Sequence, residues 1–373
     1  MKIWAFLYQM KKGNKKTEKV IIGLSGGVDS AVSAALLKKA GYEVTGATMK
    51  MWNKGYSKKA EKSACYGPGE KEDIKAAEKV AKILGIGHIV IDVSKEYEKY
   101  VLGYFREEYL AGRTPNPCVV CNQKIKFGYL VDKIIEAGIK FDYFATGHYA
   151  RKIYDGEAKR FILLRGKDHK KDQSYFLYGL SQKQLGKALF PLGNFRKEDV
   201  RKMASGLKLK EFAEKEESQD FVEGKDYSKI IGKGGRKAGD MVDTNGNVLG
   251  KHEGFSGFTV GQRKGLKIGG LAEPYYVIDI DACKNRIIVG KKEDAFSRAF
   301  DINKTNWISI EKPENPVKAK VKVRSGAEAI GCTIIPKRGR FTVELSKPCF
   351  AVTKGQSAVF YKGSRVLGGG VIV

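Results

Sequence analysis

The segment from Lys19 to Ser30 constrains the fold most strongly, because a short apolar run ends in two glycines and then continues as a helix. Val20 to Leu24 is typical of a strand buried inside a parallel sheet. Gly26 and Gly27 lack a Cβ atom, so the backbone there can take positive φ and direct consecutive N–H groups into one concavity. A helix that begins near Asp29 adds the positive end of its dipole, so the loop predicts a phosphate site. The Lys of a Walker A loop is absent, which argues against a kinase or GTPase.

Apolar β-branched runs alternate with helical periodicity through about the first 200 residues, which predicts an α/β fold with a doubly wound parallel sheet. The predicted helices include 72–84 and 122–137, and the predicted strands are 20–24, 44–51, 89–93 and 143–146. Ligands of such sheets bind at the carboxyl ends of the strands. We therefore expect one cleft to collect the Ser25 loop, Met49, Cys65, the Cys118 to Cys121 segment and Gly147 to Tyr149.

The composition and the apolar pattern of the sequence change at two points along the chain. From about Phe212 it is rich in Gly and Lys with turn pairs such as Asn245-Gly246, which indicates a small central domain. From Pro274 onward short apolar or alternating runs predict an all-β barrel with strands at 275–280, 286–289, 317–323, 341–345, 357–361 and 370–373. We predict an N-terminal extension at 1–18, a catalytic domain at 19–211, a central domain at 212–273 and a barrel at 274–373.

Charge and cysteine content narrow the class of protein. The chain carries 69 Lys plus Arg against 42 Asp plus Glu, a net charge of +27, which suits a large polyanion such as RNA. It has no apolar run long enough to cross a membrane, and its first residues make a poor secretory signal. Six cysteines in 373 residues are too few for a disulfide scaffold, so we expect a soluble protein in the reducing cytoplasm.

Cys118 and Cys121 form a Cys-x-x-Cys pair in a proline-stiffened loop. This spacing fits a redox pair, half a zinc site or ligands of an iron–sulfur cluster. A second such pair is missing from the sequence, which argues against a closed zinc site. Cys121 precedes a helix expected to start near Asn122, and the helix dipole should lower the pKa of its thiol. Cys121 is therefore a candidate nucleophile or metal ligand.

Two resemblances sharpen this interpretation. The Ser25 loop resembles the pyrophosphatase loop (PP-loop) of ATP pyrophosphatases, which cleave ATP between the α and β phosphates. Nearly the whole chain is similar to the tRNA-uridine 2-sulfurtransferases. The matching motifs occur in the family's order: Gly23-Leu-Ser-Gly-Gly-Val-Asp-Ser30, Gly112-Arg-Thr-Pro-Asn-Pro117, Cys121-Asn122 with Ile125-Lys-Phe127, Ala145-Thr-Gly-His-Tyr149, Lys171-Asp-Gln-Ser-Tyr-Phe-Leu177, Thr259-Val-Gly-Gln-Arg-Lys-Gly-Leu266 and Pro348 through Gln356-Ser-Ala-Val-Phe-Tyr361.

The resemblance implies an ATP-dependent enzyme that adenylates O2 of the wobble uridine of tRNA, at position 34, releases pyrophosphate, and replaces AMP with sulfur. It implies ATP with Mg²⁺ as cofactor, tRNA as partner, and a sulfur donor. It also assigns residues by motif. The ATP residues would be Gly23, Leu24, Ser25, Gly26, Gly27, Val28, Asp29, Ser30, Met49 and Gly147; Asn116, Pro117 and Cys118 would line the target base; His148, Lys171, Asp172, Gln173, Arg324 and Gln356 would face tRNA.

One departure from the family's pattern concerns sulfur. Better-known members carry a second, persulfide-bearing cysteine where this chain reads Glu217-Ser-Gln-Asp-Phe-Val-Glu-Gly224. Related thiolation enzymes with one distant cysteine and a Cys-x-x-Cys pair bind a [4Fe–4S] cluster. By that resemblance we favour Cys65, Cys118 and Cys121 as cluster ligands. The alternative is that Cys121 carries a persulfide and Cys118 resolves it. Cys283, Cys332 and Cys349 are most simply structural.

Two other functions use part of the same sequence. A small-molecule ATP pyrophosphatase, such as an amide-forming synthetase, would share the Ser25 loop but gives no use for Cys118, Cys121 or the basic barrel. A non-catalytic RNA-binding protein would not need the intact loop. We expect the sulfurtransferase.

Overall fold

The computed structural model describes residues 17–53, 64–207, 209–213, 220–222, 227–232, 237–269 and 273–373. The chain forms two compact units. The first contains residues 1–100, 118–226 and 364–366, and the second contains 101–117, 227–363 and 367–373. Most of the predicted N-terminal extension and part of the Glu217 to Gly224 segment lie outside the described residues.

The strands, in chain order, are β1 Lys19–Gly23, β2 Glu43–Lys50, β3 Ala64–Tyr66, β4 Gly87–Asp92, β5 Tyr143–Ala145, β6 Ala150–Asp155, β7 Arg160–Arg165, β8 Ala188–Leu189, β9 Asp220–Val222, β10 Gly239–Val242, β11 Val248–His252, β12 Tyr276–Asp281, β13 Arg286–Gly290, β14 Phe296–Asn306, β15 Val317–Lys322, β16 Ile330–Lys337, β17 Arg340–Phe350, β18 Ser357–Lys362 and β19 Arg365–Ile372.

The α-helices are α1 Val28–Lys39, α2 Glu70–Leu84, α3 Ser94–Tyr97, α4 Gly103–Leu110, α5 Pro117–Val120, α6 Leu130–Glu136, α7 Gln182–Lys187, α8 Lys197–Gly206, α9 Lys210–Ala213 and α10 Ser228–Ile231. Two π-helices span Glu98–Leu102 and Cys121–Tyr129. Short 3₁₀ turns lie at Ser174–Leu177, Phe255–Gly257 and Glu293–Ala295. Within the described part of the chain, no helix is long and apolar enough to span a membrane.

A parallel sheet with strand order β4-β2-β1-β5-β8 forms the centre of the first unit. The register places Val20 opposite both Val44 and Tyr143. Val20, Ile22 and Leu36 are buried together where α1 packs on the sheet, as expected of β-branched strands covered by helices. The predicted parallel α/β sheet is confirmed. The first unit also contains the antiparallel β6–β7 pair and the short parallel pair β3–β9.

The second unit holds two β-structures. Strands β14-β17-β16-β15-β18-β19 follow one another in a sheet, and a further pairing of β14 with β19 closes that sheet into a barrel. The predicted C-terminal barrel is therefore confirmed, but two strands assigned to it were assigned wrongly. β12 and β13 join a separate sheet of order β11-β10-β13-β12, because β13 pairs in parallel with β10. Strand periodicity does not specify a partner.

The helix predicted at 122–137 also differs from the structure. Helical backbone begins at Pro117, five residues before Asn122, and the segment from Cys121 to Tyr129 is a π-helix. Proline is favoured at the first position of a helix because its missing N–H is not needed there. The prediction was wrong since it took Pro117 as part of the loop.

Candidate nucleotide and sulfur site

The loop after β1 has the geometry expected of an anion site. Gly26 has φ 71°, and a Cβ atom there would lie 2.8 Å from the Cβ of Ala76 and the carbonyl oxygen of Asp73. Glycine is therefore required at that position both for conformation and for space. Gly27 is extended, with φ −96°, so only one of the two glycines takes the left-handed conformation.

The first turn of α1 leaves its backbone donors available. Gly27, the N-cap residue, provides no side-chain cap. The Ser30 hydroxyl donates to the carbonyl oxygen of Gly27 at 3.0 Å, and the Ser25 N–H donates to the Ser30 hydroxyl oxygen at 3.2 Å. These bonds fold the loop tightly over the helix. Uncapped N–H groups at a helix N-terminus favour a bound phosphate.

The other predicted nucleotide residues lie at the ends of neighbouring strands. The Leu24 N–H donates to the carbonyl oxygen of Ala47 at 2.9 Å, so the loop starts beside β2, which contains the half-buried Met49. At the end of β5, Gly147 packs so closely on α1 that a Cβ atom would lie 3.0 Å from the Ser30 nitrogen. The first unit thus brings together the set Gly23, Leu24, Ser25, Gly26, Gly27, Val28, Asp29, Ser30, Met49 and Gly147.

Sequence reasoning missed Lys197, which forms an ion pair with the loop. Its ammonium group lies 2.7 and 2.8 Å from the two carboxylate oxygens of Asp29. The Tyr149 hydroxyl donates to the same carboxylate at 2.8 Å. Lys197 begins α8, 168 residues after Asp29, and a contact of that sequence separation has no local signal.

Three thiols predicted to act together all belong to the first unit. Cys118 is exposed in the first turn of α5, and Cys121 is partly buried at the start of the longer π-helix. Cys65 is exposed on β3, which pairs with β9 so that Ala64 lies opposite Asp220 and Tyr66 opposite Val222. Cys65 therefore lies on the strand that pairs with residues 220–222, within the segment Glu217 to Gly224.

Cys65, Cys118 and Cys121 all act on the pKa of Tyr97 and Lys126, and we call this region the thiol neighbourhood. Burial raises the pKa of Tyr97 well above its usual value, and Cys121, Cys65 and Cys118 raise it further. Burial alone would lower the pKa of Lys126, yet the same three thiols raise it above its usual value. Tyr66, next to Cys65, stacks on Tyr97 with ring centroids 5.2 Å apart.

The π-helix explains how Lys126 reaches this neighbourhood. Its hydrogen bonds run from residue i to residue i+5, as in the bond from the Leu130 N–H to the carbonyl oxygen of Ile125. Residues five apart, such as Cys121 and Lys126, therefore lie on one face, whereas an α-helix aligns residues three and four apart. Lys126 was quoted in the sequence motif but not predicted as a site residue.

The predicted lowering of the Cys121 pKa is wrong. Burial raises the pKa of the Cys121 thiol to about 11, Lys126 lowers it in part, and Cys65 raises it. The helix begins at Pro117, so Cys121 lies beyond the first turn, where the dipole effect has fallen off. Desolvation therefore dominates.

The three thiols do not make up a site for a single metal ion. Over the residues that the structure describes, no group of three or more His, Cys, Asp and Glu side chains could hold a metal ion. This finding gives no support to a closed single-ion site such as zinc. A cluster, in contrast, takes each thiolate on a different iron. The structure couples the three thiols electrostatically to Lys126 but shows no metal-binding group among them, so the cluster stays a prediction from the resemblance.

Four of the residues predicted to face tRNA lie in the first unit. His148 is partly buried, with its Nδ1 atom 2.8 Å from the Thr146 hydroxyl, and burial and Lys126 hold its pKa well below the usual range. The Asp172 carboxylate is 1% exposed and pairs with Arg165 at 2.9 Å. Gln173 accepts from the Tyr149 N–H at 3.0 Å. Lys171, directly before Asp172, adds a positive charge to the same turn.

Apart from Cys118, the other residues predicted to contact the target base or tRNA lie in the second unit. Asn116 is buried, and its N–H donates to the Tyr104 hydroxyl at 3.2 Å. Gln356 follows β17, and its side-chain amide donates to the carbonyl oxygens of Thr114 at 3.2 Å and Pro115 at 3.0 Å. Arg324 is exposed after β15, and Pro117 ends the proline-rich loop. This unit thus holds the first half of the loop, including Asn116 and Pro117, by its own hydrogen bonds.

The parallel sheet and the glycine loop define a nucleotide-binding enzyme of the PP-loop class. Residues 18–223 match the family described as the tRNA methyl transferase HUP domain. Residues 206–291 match its PRC-barrel domain, and residues 297–372 match the aminomethyltransferase β-barrel domain.

Curated relatives identify the family within that class. The chain is 47% identical over 359 residues to tRNA-specific 2-thiouridylase MnmA of Endomicrobium trichonymphae, covering 95% of this chain and 99% of that protein. It is 46% identical over 362 residues to MnmA 2 of Thermoanaerobacter sp. strain X514, covering 95% and 97%. The chain belongs to the tRNA-specific 2-thiouridylase family, a family of sulfurtransferases. A solved structure of NMN synthetase from Francisella tularensis, 19% identical, aligns with a TM-score of 0.36 over 58% of this chain and 73% of that one, too slight a likeness to carry an argument.

Proposed function

We propose that this protein transfers sulfur to C2 of the wobble uridine, position 34, of tRNA in an ATP-dependent reaction. The observation that carries the proposal is the presence, in one compact unit, of a glycine loop at a helix N-terminus without a side-chain cap and of three thiols that all raise the pKa of Lys126. A small-molecule ATP pyrophosphatase needs the loop but has no use for the thiols. The family assignment supports the same activity.

The first step activates a poor electrophile. The O2 atom of uridine attacks the α-phosphate of ATP, the bond to the bridging oxygen breaks, and pyrophosphate leaves with that electron pair. The loop from Ser25 to Ser30 would hold the departing phosphates, with Mg²⁺ sharing their charge, and Met49 and Gly147 would contact adenosine. A sulfur nucleophile then forms a bond to C2 and expels AMP.

We favour delivery of that sulfur at Cys65, Cys118 and Cys121 as ligands of a [4Fe–4S] cluster. Bound there, such a cluster would supply an iron free to carry sulfide. The chain's own contribution would come from Lys126, which sits among the thiols and has no carboxylate partner within the described residues. A fixed cation there stabilises negative charge on sulfur and so favours nucleophilic sulfur.

The alternative scheme for sulfur delivery requires no metal. A persulfide on Cys121 would attack C2 with its terminal sulfur and expel AMP. The Cys118 thiolate would then attack the Sγ atom of Cys121, leaving the outer sulfur on uridine and forming a Cys118–Cys121 disulfide. An external two-electron reductant would restore both thiols. In this scheme Cys65 takes no part, and that difference separates the two schemes.

Recognition of tRNA would use the basic surface and the predicted contact residues. A net charge of +27 suits phosphate contacts along the anticodon stem and loop. Asn116, Pro117 and Cys118 would line the extruded base, since single-stranded bases are the least costly to unstack. His148, Lys171, Gln173, Arg324 and Gln356 would face tRNA, while the buried carboxylate of Asp172 would hold its turn in place.

The test uses the full chain with an unmodified tRNA transcript, ATP, Mg²⁺ and sulfide or a persulfide donor under anaerobic conditions. Mass spectrometry of the digested tRNA should find 2-thiouridine in the intact transcript and none when the wobble uridine is replaced by cytidine. Pyrophosphate release should depend on tRNA. Pyrophosphate released at the same rate without tRNA, and no thiouridine with either donor, would instead support a small-molecule ATP pyrophosphatase.

A further inference from the structure

The strongest feature that the proposed reaction does not use is the ion pair between Asp29 and Lys197. The Lys197 side chain is only 7% exposed, while Asp29 is 29% exposed. The lysine is therefore the more deeply buried partner of the pair. Its ammonium group contacts both carboxylate oxygens, at 2.7 and 2.8 Å, a geometry that neutralises the whole carboxylate.

The arrangement is fixed from several sides. Lys197 is the first residue of α8, and its N–H donates to a carboxylate oxygen of Asp168 at 3.0 Å. The ammonium group also lies 5.9 Å from the centre of the Tyr149 ring. Tyr149 donates its hydroxyl to the same Asp29 oxygen that Lys197 contacts. These contacts hold the buried ammonium group of Lys197 in one position within the first unit.

The pair matters because of where Asp29 lies. Asp29 is the second residue of α1, between the loop glycines and Ser30, and so within the stretch expected to receive phosphates. A bare carboxylate there would repel a polyphosphate through a partly desolvated region, in which charges act more strongly than in water. The loop has no lysine of its own within its sequence, unlike a Walker A loop.

We propose that Lys197 is a positioning residue of the nucleotide site: it neutralises Asp29 so that the loop from Ser25 to Ser30 accepts the pyrophosphate end of ATP. The lysine does not need to move or to transfer a proton. The ion pair with Lys197 cancels the negative charge of Asp29, so the carboxylate no longer repels the phosphates. This inference rests on the proposed nucleotide site at that loop.

The test measures binding of inorganic pyrophosphate without metal, by calorimetry on the full chain, so that it does not depend on turnover. Lys197→Met should weaken binding at least about tenfold, because it leaves the Asp29 charge uncompensated. The double variant Lys197→Met with Asp29→Asn removes that charge and should bind pyrophosphate at least about threefold more tightly than Lys197→Met alone. Recovery would separate a charge effect from general damage, since the double variant has lost more native bonds.

Lys152→Met is the matched control. Lys152 is also largely buried in the first unit, but its ammonium group donates to the carbonyl oxygens of Leu185 and Gly186, at 3.1 and 2.7 Å. Its replacement should leave pyrophosphate affinity unchanged. Thermal unfolding of each variant verifies that the protein is folded at the temperature of the titration.

The outcomes are distinct. Wild-type protein that binds pyrophosphate neither without metal nor, in a repeat titration, with Mg²⁺ would overturn both the proposed nucleotide site and this inference. Wild-type binding with equal affinity in Lys197→Met would overturn the inference alone and leave the site intact. A double variant that stays as weak as Lys197→Met would also overturn it, because Asp29 would then be needed for itself rather than as a charge to be neutralised.

Discussion

The nucleotide loop and the thiol neighbourhood use the same unit but are built in opposite ways. The loop is one contiguous stretch, in which Gly26 turns the chain and Ser30 bonds back to Gly27. The thiols come from two segments more than fifty residues apart, and what links them is tertiary: Tyr66, next to Cys65, stacks on Tyr97, whose pKa all three thiols raise. Local chemistry dictates the first site, and tertiary structure dictates the second.

The comparison predicts that the thiol region can be disabled without harm to the loop. Cys121→Ala should lower tRNA thiolation at least about a thousandfold under either sulfur scheme, as loss of a nucleophile does in other enzymes. ATP affinity should stay unchanged. Mass spectrometry of 2-thiouridine and calorimetry with ATP measure the two effects. Cys283→Ala, which removes an exposed thiol of the second unit, should change neither.

A substitution in the loop should have the opposite effect and should weaken ATP binding. Gly26→Ala should lower ATP affinity at least about tenfold and the free energy of unfolding by about 1–3 kcal/mol, because a Cβ atom meets Ala76 and Asp73 at 2.8 Å. Gly138→Ala is the control, since its φ is 77° but a Cβ atom there meets nothing within 4 Å. Gly138→Ala should therefore introduce the same backbone strain as Gly26→Ala but no steric contact. Equal loss of ATP affinity in the two variants would contradict this account of the loop.

These two sites also show what the sequence could predict. Strands 20–24 and 44–51 and the loop between β1 and α1 follow from apolar runs and glycines, and they were predicted nearly to the residue. Lys197 and Tyr97 could not be predicted, since their contacts with Asp29 and with the thiols depend on long-range packing. The start of the helix at Pro117 could have been predicted from the preference of proline for the first helical position.

Lys126 gives a pH test of the thiol neighbourhood in iron-free protein. Burial holds the pKa of Cys121 at about 11, so its alkylation by iodoacetamide should quicken about tenfold per pH unit between pH 8 and 10. Lys126 lowers that pKa, so Lys126→Met should shift the profile to higher pH and slow alkylation at pH 8 about threefold to tenfold. Peptide mapping locates the label on Cys121.

Lys124→Met is the control for that experiment, because Lys124 is an exposed lysine of the same π-helix. Its replacement should leave the alkylation profile of Cys121 in place. If the two lysine variants gave the same profile as wild type, Lys126 would not act on the thiol, and the electrostatic account of this region would be wrong.

The smallest effect is expected at the proline-rich loop of the second unit. Gln356→Ala removes two hydrogen bonds to Thr114 and Pro115, each worth about 1 kcal/mol. We expect kcat for tRNA thiolation to fall about twofold to fivefold, because the residues that would line the base become less well held. Steady-state kinetics measure it. A change confined to KM for tRNA would show that Gln356 acts through its proposed contact with tRNA and that its bonds to the loop do not affect the reacting base.

The central claim is that three separate thiols form one sulfur site, and iron analysis tests it most directly. Protein purified anaerobically should contain about four irons and four acid-labile sulfides per chain. Cys65→Ala should lose both, together with sulfide-dependent thiolation of tRNA. Iron-free wild-type protein that thiolates tRNA from a persulfide donor, and does so equally well with Cys65→Ala, would contradict the claim and leave Cys121 as the sulfur carrier.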